Sequence, residues 1–296
     1  MSSEHVLSTL VDDGHYFECP RWHDGRWWVS DFYSHAVLAI DPDGTTERVL
    51  RVDAQPSGLG WLPDGDLLVV SMKDRKLLRR GADGAVAIHA DLDGLASGHP
   101  NDMLVRDGHA YVGNFGFDLM GGADPTTADL VHVAPDGTAS VAASDLWFPN
   151  GMVLADDTTL VVAETFAARL TAFTIAPDGT LHDRRVWAQV QPAPEPADLA
   201  TMLASFAFAP DGCAVDAEGH VWAANALGGV LNRIAPGGRI VDEVAMPEGL
   251  GVFACGLGGD DGRTLLACAA PDFHEAARVA VREAVLLTTT VDVPAG

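Results

Sequence analysis

Four side chains able to hold a hard cation stand at one phase of the sequence. Asn101, Asn150 and Asp211 each follow the proline of a short motif (PNDML, PNGMVL, PDGCAV), and Glu18 opens ECPRW at the equivalent point. Two carboxylates and two amides gathered in one place are costly in desolvation and repulsion unless something positive sits between them. A divalent cation meets that need. Oxygen ligation suits calcium, magnesium or manganese, and an open site with few protein ligands also takes zinc. The residue types do not choose among these four ions. One Asn or Asp after a proline is ordinary turn chemistry, so the inference rests on four such residues converging.

The element that makes them converge is a repeat. The same motif appears as PSGLGW at Pro56 and VFACGL at Val252, so the aligned positions are Glu18, Ser57, Asn101, Asn150, Asp211 and Phe253, spaced by 39, 44, 49, 61 and 42 residues. Those periods bracket the length of a propeller blade. Each motif leads into a turn and a β-rich run, such as HDGRWWVSDF, LPDGDLLVVSM and DAEGHVWAANA, and most units continue through a further strand and turn, as in LVHVAPDGTASVAA. Acidic-Gly turns between alternating β-branched and aromatic residues are hairpin signals. The reading is an all-β, six-bladed β-propeller over 1–296 as a single domain. The innermost strands of a propeller line its axis, so equal repeat positions become a ring. The segment HVLSTLVDD precedes the first motif and is expected to supply the outer strand of the last blade. The two long periods contain insertions near 117–130 and 190–208, expected as lid-like loops on the binding face, the second partly helical. A parallel α/β sheet is disfavoured because helical periods between the strands are absent.

Composition agrees with a self-sufficient core: 48% of the residues are hydrophobic and 20% charged. With 18 basic against 42 acidic residues the formal charge is -24, which repels nucleic acid and anionic membrane surfaces. Most of these carboxylates belong to a solvated surface. There is no leader-like N-terminus and no apolar run of membrane-spanning length, so the expectation is a cytoplasmic protein. Cys19, Cys213, Cys255 and Cys268 lack CxxC pairing and read as reduced, buried thiols.

The chain resembles the SMP-30/gluconolactonase/LRE family, also called the regucalcin family, from about residue 14 to the last blade. The resemblance is carried by YFECPRW with the following RWWVSDF, by GHPNDM, by WFPNGM and by PDGCAVDAEGHVWAA. It implies that Glu18, Asn150 and Asp211 hold one divalent metal, that Asn101 contacts substrate or a water on the metal, and that Asp211 serves as general base in opening a lactone or related ester. Asp102, beside Asn101 in the same motif, joins the candidate substrate contacts. Sugar-lactonase members commonly carry an Arg two residues before this Asn, where this chain has His99. The expected small-molecule substrate is therefore less polar than a sugar-acid lactone.

Other chemistries find little support. No GxSxG nucleophile elbow occurs, and HEAAR at His274 is not HExxH. Cys19 and Cys213 lie close to proposed ligands, but alternation along a strand turns the next residue away from the channel. His15 and His99 are the histidines nearest the motifs and are taken as site candidates, as is Trp147, which with Phe148 stands just ahead of Pro149. The remaining histidines read as surface or satisfied residues. Two alternatives stay open: a calcium- or ligand-binding propeller without catalysis, and a non-hydrolytic metal-dependent enzyme on the same platform.

Overall fold

The second strand of each unit is built to be buried on both faces. Leu67–Ser71 and Thr159–Glu164 are inaccessible along their whole lengths, whereas the outermost strand Leu181–Gln189 is mostly exposed. Strands buried on both sides must lie between stacked sheets. In the computed structural model, which describes residues 5–296, six four-stranded antiparallel sheets are arranged in this way. The molecule is a six-bladed β-propeller. Each buried Val or Leu between the blades contributes about 1.5–3 kcal/mol, and the largest cluster includes Trp27, Val29, Leu68, Val70, Met103 and Val112.

The inner strands are Phe17–His23, Pro56–Trp61, Pro100–Arg106, Pro149–Asp156, Pro210–Val215 and Gly251–Gly258. Each packs against the next, and the last packs against the first. The ring is closed by the strand Ser8–Gly14, which pairs antiparallel with Ala284–Thr290 as the outer strand of the sixth blade. The N-terminal segment thus takes the place expected of it.

One irregularity recurs in all six blades. The pairing of the inner strand with its neighbour slips just after the leading residue, between Glu18 and Arg21, Pro56 and Leu59, Pro100 and Met103, Pro149 and Met152, Pro210 and Cys213, and Val252 and Ala254. A bulge re-aims side chains at the end of a strand. It also breaks the alternation that would turn Cys19 away: Glu18 and Cys19, and likewise Asn101 and Asp102, all face the same cavity. In three blades the following residue is glycine because the next inner strand comes too close for a side chain. A Cβ on Gly58 would lie 2.7 Å from the Met103 Cβ, one on Gly151 2.4 Å from the carbonyl oxygen of Asp211, and one on Gly212 2.5 Å from the Ala254 Cβ.

The insertion 190–208 contains the helix Leu199–Ser205, capped by Asp198, whose carboxylate accepts the Thr201 N–H at 3.0 Å. The insertion 117–130 is irregular up to the strand Ala128–Val133. A third excursion, unexpected from the sequence, lies between Thr264–Ala270 and Ala284–Thr290 and carries the helical turn Glu275–Arg278. The buried Arg278 anchors it through Asp272 and Glu283. Among the described residues no helix is long and apolar enough to cross a membrane.

Candidate active site

All six aligned positions, Glu18, Ser57, Asn101, Asn150, Asp211 and Phe253, line one cavity at the end of the channel. All six are buried. Cys19 N–H donates to Glu18 at 3.2 Å, and Tyr16 adds a second hydrogen bond. Asp211 accepts from the Gly212 N–H and from the Asn150 amide. Asn150 Nδ2 also donates to Thr165 Oγ1 at 3.3 Å, and that hydroxyl donates to Pro210 O at 2.7 Å.

The charges in this cluster do not cancel. Asp102 is matched by Arg21, whose Nη2 reaches across from the first blade to within 2.7 Å of Oδ1 and also donates to Met103 O. Glu18 and Asp211 have no such partner. Burial, then the charges of Asp211 and Asp102, push the Glu18 carboxyl well above the usual carboxylate range. Burial, then Asp102, push Asp211 up to about 8. With both ionised the cluster carries two uncompensated negative charges, which is the charge of a divalent cation with the sign reversed. Asn101 Oδ1 is buried without any hydrogen-bond partner, a costly state for an acceptor that is never supplied with a donor or a cation. A group of two carboxylates with amide oxygens therefore fits a hard divalent ion. Among the described residues no three His, Cys, Asp or Glu side chains gather round one point, so amide oxygen would have to complete the donor set.

Behind this cluster a second repeated device fixes the approach to four of the six leading residues. Asp31 accepts Tyr16 N–H, Asn114 accepts Gly98 N–H, Glu164 accepts Trp147 N–H and Asn225 accepts Ala209 N–H. Each sits at the end of its blade's second strand, in SDF, GNF, AET and ANA. These braces escaped the sequence reading, although a polar residue ending an otherwise apolar strand was the available signal.

The wall of the cavity is apolar. It carries Phe32, Phe115, Phe148, Phe166, Phe253 and other large side chains, and no Lys or Arg is among its lining residues. Leu119 and Met120 come from the insertion 117–130, Leu203 and Phe206 from 190–208, and Phe273 and Glu275 from the third excursion. Lys73 of the second blade reaches Glu275 at 2.6 Å. His99 lines the cavity beside Phe115. Its pKa is lowered by burial and by the nearby charges of Arg75 and Lys73. Two other sequence candidates stand outside the lining. His15 Nδ1 donates to Arg278 O at 3.0 Å, so it braces the third excursion. Trp147 is held by its backbone to Glu164, and its neighbour Phe148, at φ 55°, is the one that enters the cavity. Cys19 lines the cavity, but burial raises its thiol pKa, as it does for Cys213, and neither is an activated nucleophile.

Residues 17–270 match the model of the SMP-30/Gluconolactonase/LRE-like region. The chain belongs to this family. The SMP-30/gluconolactonase match spans the inner strands of all six blades and every axial residue named above. A 6-deoxy-6-sulfogluconolactonase of Pseudomonas putida is 23% identical over 84% of this chain and 81% of its own length. Among solved structures, a calcium-binding regucalcin from Agrobacterium tumefaciens superposes with a TM-score of 0.78 at 20% identity, covering 99% of this chain and 96% of that one. A gluconolactonase from Xanthomonas campestris gives 0.73 at 24% identity, covering 99% and 91%. At these identities the solved structures speak for the fold alone.

Proposed function

We propose that this chain is a divalent-metal-dependent hydrolase that opens a lactone or related ester less polar than a sugar-acid lactone. The observation that carries the reading is the pair of buried, unpaired carboxylates, Glu18 and Asp211, beside the orphaned oxygen of Asn101 at the propeller axis. One ion, calcium, zinc, magnesium or manganese, held by Glu18, Asn150 and Asp211, supplies the positive charge that polarises the ester carbonyl and stabilises the developing oxyanion. The calcium-binding regucalcin on the same fold makes calcium the first ion to try.

Asp211 takes a proton from the attacking water, whose oxygen bonds to the carbonyl carbon. The ring C–O bond then breaks, and the departing oxygen receives the proton from Asp211, leaving a hydroxy acid. Asn101 accepts a hydrogen bond from that water or from the substrate and so orients it. Asp102 lines the same floor, with one oxygen committed to Arg21 and to Met103 N–H. The apolar wall without Lys or Arg favours an uncharged, weakly hydroxylated substrate, in contrast to the sulfonated lactone that the Pseudomonas relative's name describes. The insertions 117–130 and 190–208, with the third excursion, act as covers over it. Four free, buried cysteines suit a reducing compartment, and we place the protein in the cytoplasm.

The test is a panel of aliphatic and sugar lactones assayed on metal-stripped protein with each ion restored. Activity should vanish on stripping and return with one ion. Asp211→Asn, loaded with that ion, should lose about 100-fold or more in turnover. Full activity in metal-free protein sinks the proposal, and tight ion binding with no turnover of any lactone or ester leaves a calcium-binding propeller instead.

A further inference from the structure

Five blades share one backbone bond at the mouth of the channel. Phe32 N–H donates to Tyr16 O, Met72 to Gln55, Phe115 to His99, Thr165 to Phe148 and Ala226 to Ala209, at 2.9–3.2 Å. The five residues are therefore equivalent, and four of them are apolar. Only the fourth blade, whose inner strand carries Asn150, places a hydroxyl there. A polar side chain at a repeat position that is otherwise apolar, and buried like Phe32, Met72 and Phe115 at the same position, needs a reason.

Its hydrogen bonds supply one. A threonine hydroxyl has a single proton to donate. Thr165 gives it to Pro210 O, at 2.7 Å, so toward Asn150 the oxygen can only accept. The Asn150 group that faces it, at 3.3 Å, must then be the NH2. The other N–H of that amide goes to Asp211. With Nδ2 turned to Thr165, Oδ1 is the branch of the amide that points away from that hydroxyl. An asparagine without such a neighbour can present either end, and the NH2 end repels a cation. The bond to Pro210 O also ties the fourth blade to the residue immediately before Asp211.

We infer that Thr165 is a positioning residue: it fixes the Asn150 amide with its oxygen toward the ion and locks the spacing between Asn150 and Asp211. The inference rests on the proposed metal site but concerns a residue outside the ligand set. Side chains that orient a metal ligand are typically worth about 10- to 100-fold in metal affinity.

The experiment is calorimetric titration of the full chain with calcium, and with zinc, magnesium and manganese in turn, beside thermal unfolding of each variant. Thr165→Val should bind the preferred ion about 10- to 100-fold more weakly, and Thr165→Ser, which keeps the hydroxyl, should restore the wild-type affinity. A double-mutant comparison separates orientation from packing. A carboxylate presents oxygen whichever way it is turned, so in an Asn150→Asp background the further change Thr165→Val should cost no affinity. Unchanged affinity in Thr165→Val overturns the inference. So does an equal loss in Thr165→Ser, or a loss that persists undiminished in Asn150→Asp, since either would mark a packing role. If the wild type binds none of the four ions, the metal site itself is wrong and the role of Thr165 falls with it.

Discussion

Two buried glutamates, Glu18 at the axis and Glu164 at the end of the fourth blade's second strand, show what distinguishes a structural charge from one kept for function. Glu164 is fully buried and fully answered: Arg169 Nε and Nη2 donate to its two oxygens at 2.9 and 3.0 Å, and Thr171 Oγ1 and Trp147 N–H also donate. Burial pushes its pKa up, but these donors outweigh burial and hold the carboxyl below its usual range. Glu18 has two neutral donors, faces Asp211, and is pushed the other way. The same residue type at similar depth is thus stabilising in one place and a liability in the other. A fold retains such a liability where something supplied from outside relieves it.

The contrast is most directly broken by removing each carboxylate in metal-free protein. Glu164→Ala removes the carboxylate that Arg169 and Arg184 share. Breaking a buried pair from one side costs about 3 kcal/mol or more, and because Arg169 and Arg184 are 22% and 35% exposed, the lower end is expected. Glu18→Gln should do the opposite, raising the melting temperature of the metal-free protein while abolishing any stabilisation by added ion. Chemical denaturation of both variants, with and without calcium, measures this. A destabilised, metal-free Glu18→Gln would show that Glu18 is as structural as Glu164.

Acidity sharpens the same comparison. The folded pKa of Asp211 is raised to about 8 and that of Glu18 is also raised, against unfolded values of about 3.9 and 4.3. Between about pH 4 and about 8 the metal-free folded state holds protons that the unfolded chain has released, so stability falls as pH rises. Glu164 has the reverse sign: its contribution is present above about pH 4.3 and is lost as pH falls through its depressed folded value. Ion binding needs ionised Glu18 and Asp211, so it competes with protons and strengthens with pH. At a hundredfold excess over Kd the ion adds about 2.7 kcal/mol. The gap between the melting temperatures of calcium-loaded and chelated protein should therefore widen from about pH 5 to about pH 8. Two curves running parallel over that range would separate the carboxylates from the ion.

How much of this could be read from the sequence follows from what repeats. The ring, its closure by the N-terminal strand and the axial positions of Glu18, Asn101, Asn150 and Asp211 were legible because one motif recurs six times, and a propeller turns equal phase into convergence. Two parts of the site were not. The repeated bulge breaks strand alternation, so Cys19 was expected to face away and instead lines the cavity. The braces Asp31, Asn114, Glu164 and Asn225 act on backbone N–H groups, so their partners leave no mark in the sequence, and the polar residue at the end of each apolar strand was the one signal they gave. The mouth was legible only in outline. Insertions 117–130 and 190–208 stood out by length, but the excursion that brings Phe273 and Glu275 into the cavity lies beyond the last repeat, where no period exposes it. His15, near a motif in sequence, proved to hold that excursion.

The smallest expected effect lies at the boundary between axis and mouth. His99 precedes Asn101 by two residues and lines the cavity against Phe115. Burial, with Arg75 and Lys73 nearby, lowers its pKa, so at neutral pH it presents an uncharged ring with one donor. Lys73 is occupied by Glu275 and Arg75 by Asp93, and neither lines the cavity. His99→Arg would place a planar, charged fork where the wall has none, and such a fork suits hydroxylated or anionic groups. One added hydrogen bond is worth about 1 kcal/mol net, roughly a fivefold change, so kcat/KM for a sugar-acid lactone should rise by about that factor relative to an aliphatic lactone. Ion affinity should not move, because His99 is not among the proposed ligands. Parallel kinetics on the two lactones and calorimetric titration of the ion make the measurement. A collapse of ion binding would make His99 a ligand and end the oxygen-only site. An unchanged ratio between the two lactones would mean that the apolar wall, rather than His99, sets the substrate's polarity.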